Sequence, residues 1–321
     1  MIGKRFVLGC IALACAAGAQ AANPADTYPS KPIRVIVPYA AGGSDLYIRP
    51  LQEKLQEILG QPLVIENVGG GGGTVGSARV ARAEPDGYTV LFAATGAIVT
   101  APKLTKASYT WRDFDTVANL IAIPFTWVTR ADSDIGSFKE LVARAKAEPG
   151  KITYASPGHG TSTQMIADAT AAEAGISLTE IPYQGGAPAA AAVLGGHVDV
   201  MIGAPSNVMP QVNAGALRAL AVTGGKRFVP SPDVPTQREQ GVDVGLVANY
   251  GFFVPRGTPQ AVVDKLASAI ETAAADPKYV EMMRAGFSDV AFMDPAEQAQ
   301  SVEEEDRIFT KVMQDMGLIE K

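Results

Sequence analysis

Two loops in this 321-residue chain carry residues able to hold an anion. The first, Pro38-Tyr39-Ala40-Ala41-Gly42-Gly43-Ser44-Asp45, follows the apolar run Ile33 to Val37 and leads into a helical pattern. Alanine and glycine keep side chains out of the way, and the first turn of the following helix leaves N–H groups without intrahelical partners, so the loop offers backbone donors. The second, Ser156-Pro157-Gly158-His159-Gly160-Thr161-Ser162-Thr163, follows Ile152-Thr153-Tyr154-Ala155 and repeats that arrangement. Two such loops suggest a clamp. A carboxylate aimed straight at an anion would repel it, so Asp45 is expected to order its loop, hold water or meet a donor on the ligand, with helix capping as the plainer role.

Other motifs carry less. Gly71, Gly73 and Gly76 spell G-x-G-x-x-G after a strand and before a helix. A dinucleotide site needs an acidic residue closing the next strand, whereas Asp86 precedes that strand and Phe92 stands at its end. The run is read as a flexible connection packing close to the sheet. His159 and His197 are the only histidines, and no G-x-S-x-G elbow accompanies them. Without cysteine or paired carboxylates beside them they make a poor zinc site, so no metal, no cofactor and no enzymatic activity are expected. An exported α/β hydrolase stands as the alternative of a different class. Glu303 to Asp306 reads as a solvated helix face.

The first residues resemble a secretory signal. Lys4 and Arg5 form the positive region, Phe6 to Ala17 the apolar region, and Ala19-Gln20-Ala21 the small-residue cleavage site. The mature protein is then expected in the periplasm, starting near Ala22 and without thiols, since Cys10 and Cys15 both lie in the signal. A lipoprotein-type cleavage at Cys10 is disfavoured by the short run after Arg5. Losing Lys4 and Arg5 takes the formal charge from -6 to -8. No basic run interleaved with aromatics is present, which argues against nucleic acid as a partner.

The elements that must position the two loops alternate β-branched runs with helical patterns, the signature of α/β lobes on largely parallel sheets. Ile33 to Val37, Leu63 to Glu66 and Thr89 to Phe92 read as strands. Leu51, Leu55, Ile58 and Leu59 mark the face of a helix ending at Gly60, and Val75 to Ala83 reads as a second helix. The β-rich run Ala118 to Val128, interrupted by Pro124, is the expected passage to a second lobe. There, helices at Ser137 to Ala147, Ser162 to Ala174 and Ala187 to Leu194 alternate with strands at Ile152 to Ala155, Ile181 to Tyr183, Val198 to Ile202 and Leu217 to Val222. A Pro-rich return precedes helices opened by Pro259, Pro277 and Pro295. The expected division is a signal at 1–21, a first lobe from 22–121 and 224–321, and a second from 122–223.

Several strings point to a family: Tyr28-Pro29-Ser30-Lys31-Pro32-Ile33-Arg34, the first loop, Gly60-Gln61-Pro62-Leu63-Val64-Ile65-Glu66-Asn67, Pro85-Asp86-Gly87-Tyr88-Thr89, Pro182-Tyr183-Gln184-Gly185-Gly186-Ala187-Pro188 and Gly257-Thr258-Pro259. In this order the chain resembles the substrate-binding receptors of tripartite tricarboxylate transporters, the Bug receptors, over nearly all of its mature length. The resemblance implies a two-lobed periplasmic-binding-protein fold with two interlobe crossings, closing on a small organic carboxylate that is handed to membrane permease subunits, and a monomeric receptor. A receptor feeding a two-component sensor is the alternative within this class. Carried over by motif, Tyr39, Ala40, Gly42, Gly43, Ser44 and Asp45 form one jaw. Ser156, Gly160, Thr161, Ser162 and Thr163 form the other, with Tyr183, Gln184, Thr95 and Ala204 as further contacts. Departures bear on the ligand. Gln164 stands where many relatives have histidine, Gly203 or Ala204 where many have an acid, and Asn249-Tyr250 where a tryptophan is usual. With no acid to meet an ammonium and with Tyr39, Tyr183 and Tyr250 as walls, a carboxylate with an apolar or aromatic body is favoured over a small hydroxylated polyacid.

Overall fold

The computed structural model describes residues 27–39, 41, 44–156, 158, 161–183, 185–315 and 317–320. The expected signal segment with its two cysteines lies outside them, as do Ala40, Gly42, Gly43, Gly160 and Gln184. No helix among the described residues is long and apolar enough to cross a membrane.

Two sheets organise the chain. Strand β1 (Ile33–Val37) is followed by α1 (Asp45–Ile48), a 3-10 turn at Arg49–Leu51 and α2 (Gln52–Leu59). The tight turn falls where Pro50 has no N–H to give. Leu51, Leu55 and Leu59 are buried at four-residue spacing, but Ile58, expected on that face, is exposed. Gly60 closes the helix in the left-handed region at φ 68°. Strand β2 (Leu63–Asn67), α3 (Thr74–Ala81), β3 (Thr89–Ala94), α4 (Gly96–Val99), α5 (Ala101–Thr105) and β4 (Phe114–Ile123) complete the first pass through this lobe.

The second sheet is built from β5 (Thr126–Arg130), α6 (Phe138–Ala147), β6 (Thr153–Ser156), α7 (Ser162–Ala174), β7 (Thr179–Pro182), α8 (Gly186–Leu194), β8 (Val200–Gly203), α9 (Pro205–Asn213) and β9 (Leu217–Val222). The chain then returns through β10 (Ala248–Pro255), α10 (Gln260–Ala274), α11 (Pro277–Ala285), β11 (Val290–Met293) and α12 (Pro295–Asp315). Strand order is β11-β4-β10-β3-β1-β2 in the first sheet and β7-β6-β8-β5-β9 in the second. β1 pairs in parallel with β2 and β3, and β10 inserts antiparallel between β3 and β4. In the second sheet β6 runs parallel to β7 and β8, while β5 runs antiparallel to β8 and β9.

Helix starts follow local chemistry. Ser137 accepts from the Glu140 N–H, Thr161 from Gln164 and Asp276 from Lys278 and Tyr279. Along the second sheet successive residues face opposite sides. Trp127, Tyr154 and Ile202 join the large core shared with the first lobe, whereas Val128, Ala155 and Met201 form a smaller core with α8 and α9.

The first sheet runs on to Ile123, two residues past the expected lobe boundary, so the crossing itself is Pro124-Phe125. It lies beside the return crossing. The Phe125 N–H donates to Thr223 Oγ1 at 2.9 Å and the Thr223 N–H donates to the Phe125 carbonyl at 2.8 Å. α12 packs on β4 and also reaches α7 of the other lobe.

The glycine run packs as closely as expected. A Cβ on Gly76 would stand 2.8 Å from Pro38 Cα and from the Val68 carbonyl oxygen, both backbone atoms. We expect Gly76→Val to destabilise the protein by about 1–3 kcal/mol through overpacking at the root of the first loop. A denaturant titration checks it, and an unchanged midpoint would show that α3 can back away from β1.

Candidate functional site

A cleft of about 590 Å³ lies between the lobes. It sits at the carboxyl ends of β1, β3 and β8, where open α/β sheets leave room for ligands. The first lobe contributes Tyr39 and Ser44 from the first loop, Tyr47 from α1, Ala94 and Gly96 from the end of β3, and Ala248 and Tyr250 from β10. The second lobe contributes Thr161, Ser162 and Thr163 at the start of α7, and Ala204, Ser206 and Asn207 at the start of α9. Phe125 of the crossing lines it as well.

None of the described lining residues carries a formal charge. Negative charge in the cleft would therefore be met by hydroxyls, amide groups and the N-terminal turns of α7 and α9, whose peptide dipoles favour anions. Burial holds the Tyr39 and Tyr250 hydroxyls well above their ordinary range, so both remain protonated donors. The Tyr47 and Tyr250 rings meet at 5.1 Å between centroids and make an aromatic wall.

Asp45, Arg49 and Asn67 shape the first jaw without lining it. Asp45 is buried, and its carboxylate accepts from Arg49 Nε at 2.8 Å. Arg49 Nη2 donates to Asn67 Oδ1 at 2.7 Å, and Asn67 Nδ2 donates to the Tyr39 carbonyl at 3.2 Å. This relay ties the loop to β2 and gives the Asp45 carboxylate a structural role there. In the second jaw the Thr161 hydroxyl donates to the Gly158 carbonyl at 2.8 Å and accepts from the Gln164 N–H at 3.3 Å.

Of the residues expected from sequence, Tyr39, Ser44, Thr161, Ser162, Thr163 and Ala204 line the cleft. Ser156, Thr95 and Tyr183 do not. Ser156 is fully buried and its Oγ donates to Glu180 Oε1 at 2.6 Å, while Gln164 Nε2 donates to Glu180 Oε2 at 3.2 Å. Both therefore brace β6, α7 and β7 behind the loop. Thr95 is buried under the floor, its N–H donating to the Asn249 carbonyl at 2.9 Å. Tyr183 packs against the smaller core of the second lobe instead of forming a wall. Ala40, Gly42, Gly43, Gly160 and Gln184 lie outside the described residues.

Sequence reading missed Tyr47, Gly96, Ala97, Thr100, Ala101, Ser206 and Asn207, which also line the cleft. The proline after Ala204 was an available signal for α9, because proline suits a first helical turn. The glycine run is also closer to the site than expected: Gly72 lines the cleft, and a Cβ on Gly73 would stand 3.3 Å from the Tyr39 ring.

Two α/β lobes joined by paired crossings, with a ligand-sized cleft at the strand ends, make up the architecture of a two-lobed solute-binding protein. Residues 47–318 match the family model described as "Tripartite tricarboxylate transporter family receptor". The chain is 37% identical over 287 residues to a UPF0065 protein in the tcbD-tcbE intergenic region of Pseudomonas sp. strain P51, covering 88% of this chain and 85% of that one. An R. palustris protein solved with adipate superposes with a TM-score of 0.76 at 26% identity, over 90% of this chain and 98% of its own. MatC from Rhodopseudomonas palustris, solved with bound malate, gives a TM-score of 0.73 at 30% identity, over 89% and 99%. The chain belongs to the tripartite tricarboxylate transporter receptor family, a family of periplasmic solute-binding receptors.

Proposed function

We propose that this receptor, exported after cleavage near Ala21, acts as a monomer that captures a small carboxylate with an apolar or aromatic body and presents it to the permease subunits of its transporter. The observation that carries this reading is a cleft whose second-lobe side is mainly hydroxyls and helix N-termini and whose first-lobe side is mainly aromatic rings and alanines, with Ser44 and Thr100 as further hydroxyls there. A carboxylate fits the donor side and a hydrocarbon body fits the other. Relatives of the same fold hold adipate and malate, one acid with an apolar chain and one with a hydroxyl. The absence of any acidic side chain among the described lining residues disfavours amino acids, whose ammonium would find no counter-charge.

The deciding experiment is a thermal-shift and calorimetric comparison of adipate and benzoate with malate and citrate, since a ligand of the folded state raises its stability by mass action. Tight binding of citrate with no response to adipate or benzoate would overturn the apolar-body assignment. Binding of amino acids or sugars but no carboxylate would overturn the carboxylate assignment as well. Ser162→Ala is expected to cost about 1–3 kcal/mol of affinity for the best ligand, the range for a hydroxyl meeting a charged group. Unchanged affinity by calorimetry would move that contact to backbone or water.

A further inference from the structure

Behind the cleft floor lies a carboxyl group that is not part of the lining. Glu305, on the long helix α12, is 5% exposed. It accepts from Asn249 Nδ2 at 2.6 Å and has the hydroxyls of Ser301 and Thr95 within hydrogen-bonding reach. Ser301 stands one helical turn earlier on the same face. Asn249 lies between Ala248 and Tyr250, and Thr95 lies between Ala94 and Gly96. All four of those flanking residues line the cleft. One side chain thus braces from behind the two strand ends that form the floor.

Burial without a cationic partner favours the neutral acid, and the hydrogen inventory can accommodate it. Thr95 has one hydroxyl hydrogen, and its Oγ1 donates to the Asn249 carbonyl at 3.3 Å. A protonated Glu305 can donate to Thr95 Oγ1, giving an unbroken chain from Glu305 through Thr95 to the Asn249 carbonyl. An ionised Glu305 competes with that carbonyl for the same hydrogen. It also places a negative charge behind the floor of a cleft read here as taking an anion. We propose that Glu305 is a positioning residue for the cleft floor, and that loss of its proton loosens the floor and weakens capture of an anionic solute.

The charged groups on the elements around Glu305 do not offset it. Lys103 of α5 is engaged by Asp306 and Thr310. Asp168 of α7 accepts from the Tyr154 hydroxyl, Glu173 of the same helix is exposed, and Asp115 of β4 is held by Arg256. β10 offers only the neutral Tyr250 beside Asn249. Burial pushes the Glu305 carboxyl up to about 8, against the hydrogen bonds from Asn249, Ser301 and Thr95, which act to lower it. The folded protein therefore binds more protons at this site than the unfolded chain does between pH 4.5 and about 8, and stability falls as pH rises through that window.

The effect on capture rests on the carboxylate reading above; the effect on the floor does not. The primary test is hydrogen exchange at the Thr95 amide in the solute-free protein at pH 6 and pH 9, corrected for intrinsic exchange. Protection in the native protein should fall by about tenfold or more between the two, while Glu305→Gln, which keeps the shape and lacks the charge, should hold its protection. Thermal melting gives a second readout, with Glu305→Gln gaining on the native protein at pH 8.5 but not at pH 5. With adipate as probe, the native dissociation constant should rise by about 5-fold to 150-fold over the same pH range and that of Glu305→Gln should stay flat. Equal pH profiles for the two proteins in exchange and melting would overturn the proposal. Failure of adipate to bind would count against the solute assignment and leave this one to be decided by the amide.

Discussion

Gly96→Val is expected to leave the chain folded and to block closure of the lobes, weakening solute capture by roughly 30-fold to 150-fold, the equivalent of about 2–3 kcal/mol of overpacking. Gly96 opens α4 in right-handed backbone, so a side chain is conformationally allowed there. The obstacle is the other lobe. A Cβ on Gly96 would stand 2.3 Å from Ser162 Oγ and 3.3 Å from Thr100 Oγ1. Rotation of the serine could accommodate alanine, but the two methyls of valine fill the same space, and relief then requires the lobes to separate. The separation is measurable as a larger radius of gyration by solution scattering in the presence of solute. The melting point of the solute-free protein should move by only a few degrees. Native affinity and native compaction in Gly96→Val would mean that α4 and the start of α7 do not meet in the bound state.

The second large effect is on stability. Trp127→Ala should destabilise the protein by about 3–5 kcal/mol, because truncating a buried aromatic loses its transfer energy and leaves a cavity. Trp127 is fully buried in β5, inside the second sheet, with its ring 5.9 Å from Phe138 and 6.5 Å from Tyr154 between centroids. Its indole N–H has no partner among the described residues. Trp127→Phe therefore forfeits no hydrogen bond and should cost less than half as much. Chemical denaturation of both variants checks the pair. Equal losses would show that the indole is held by more than packing.

The relation of sequence to site is clearest in the two jaws. Small residues between an apolar run and a helix mark them because the requirement is local: no bulk, and free N–H groups where a helix begins. Ser44, Thr161, Ser162 and Thr163 were legible for that reason. Ser156 and Tyr183 carried the same polar or aromatic character but fall on the wrong side of their loops. Ser156 ends a strand and turns toward Glu180, and Tyr183 turns into the smaller core. Residue type shows what a side chain can do; the path of the backbone shows whether it faces the solute.

The α/β alternation, the helices that begin at or just after Pro259, Pro277 and Pro295, the two small-residue loops ahead of helices and, through the longer strings, the receptor family are all written in local sequence. These are properties of short windows, where periodicity, caps and turn residues act on near neighbours. Long-range packing sets the rest: β10 inserts between β3 and β4 and brings Tyr250 to the cleft, Phe125 and Thr223 tie the two crossings together, Gly96 seats Ser162 of the other lobe, and Glu305 meets Asn249 behind the floor. Each joins segments far apart in the chain. A strand's pattern shows which face is apolar but not which strand will pair with it, and a lone glycine or glutamate carries no mark of the partner that folding brings against it.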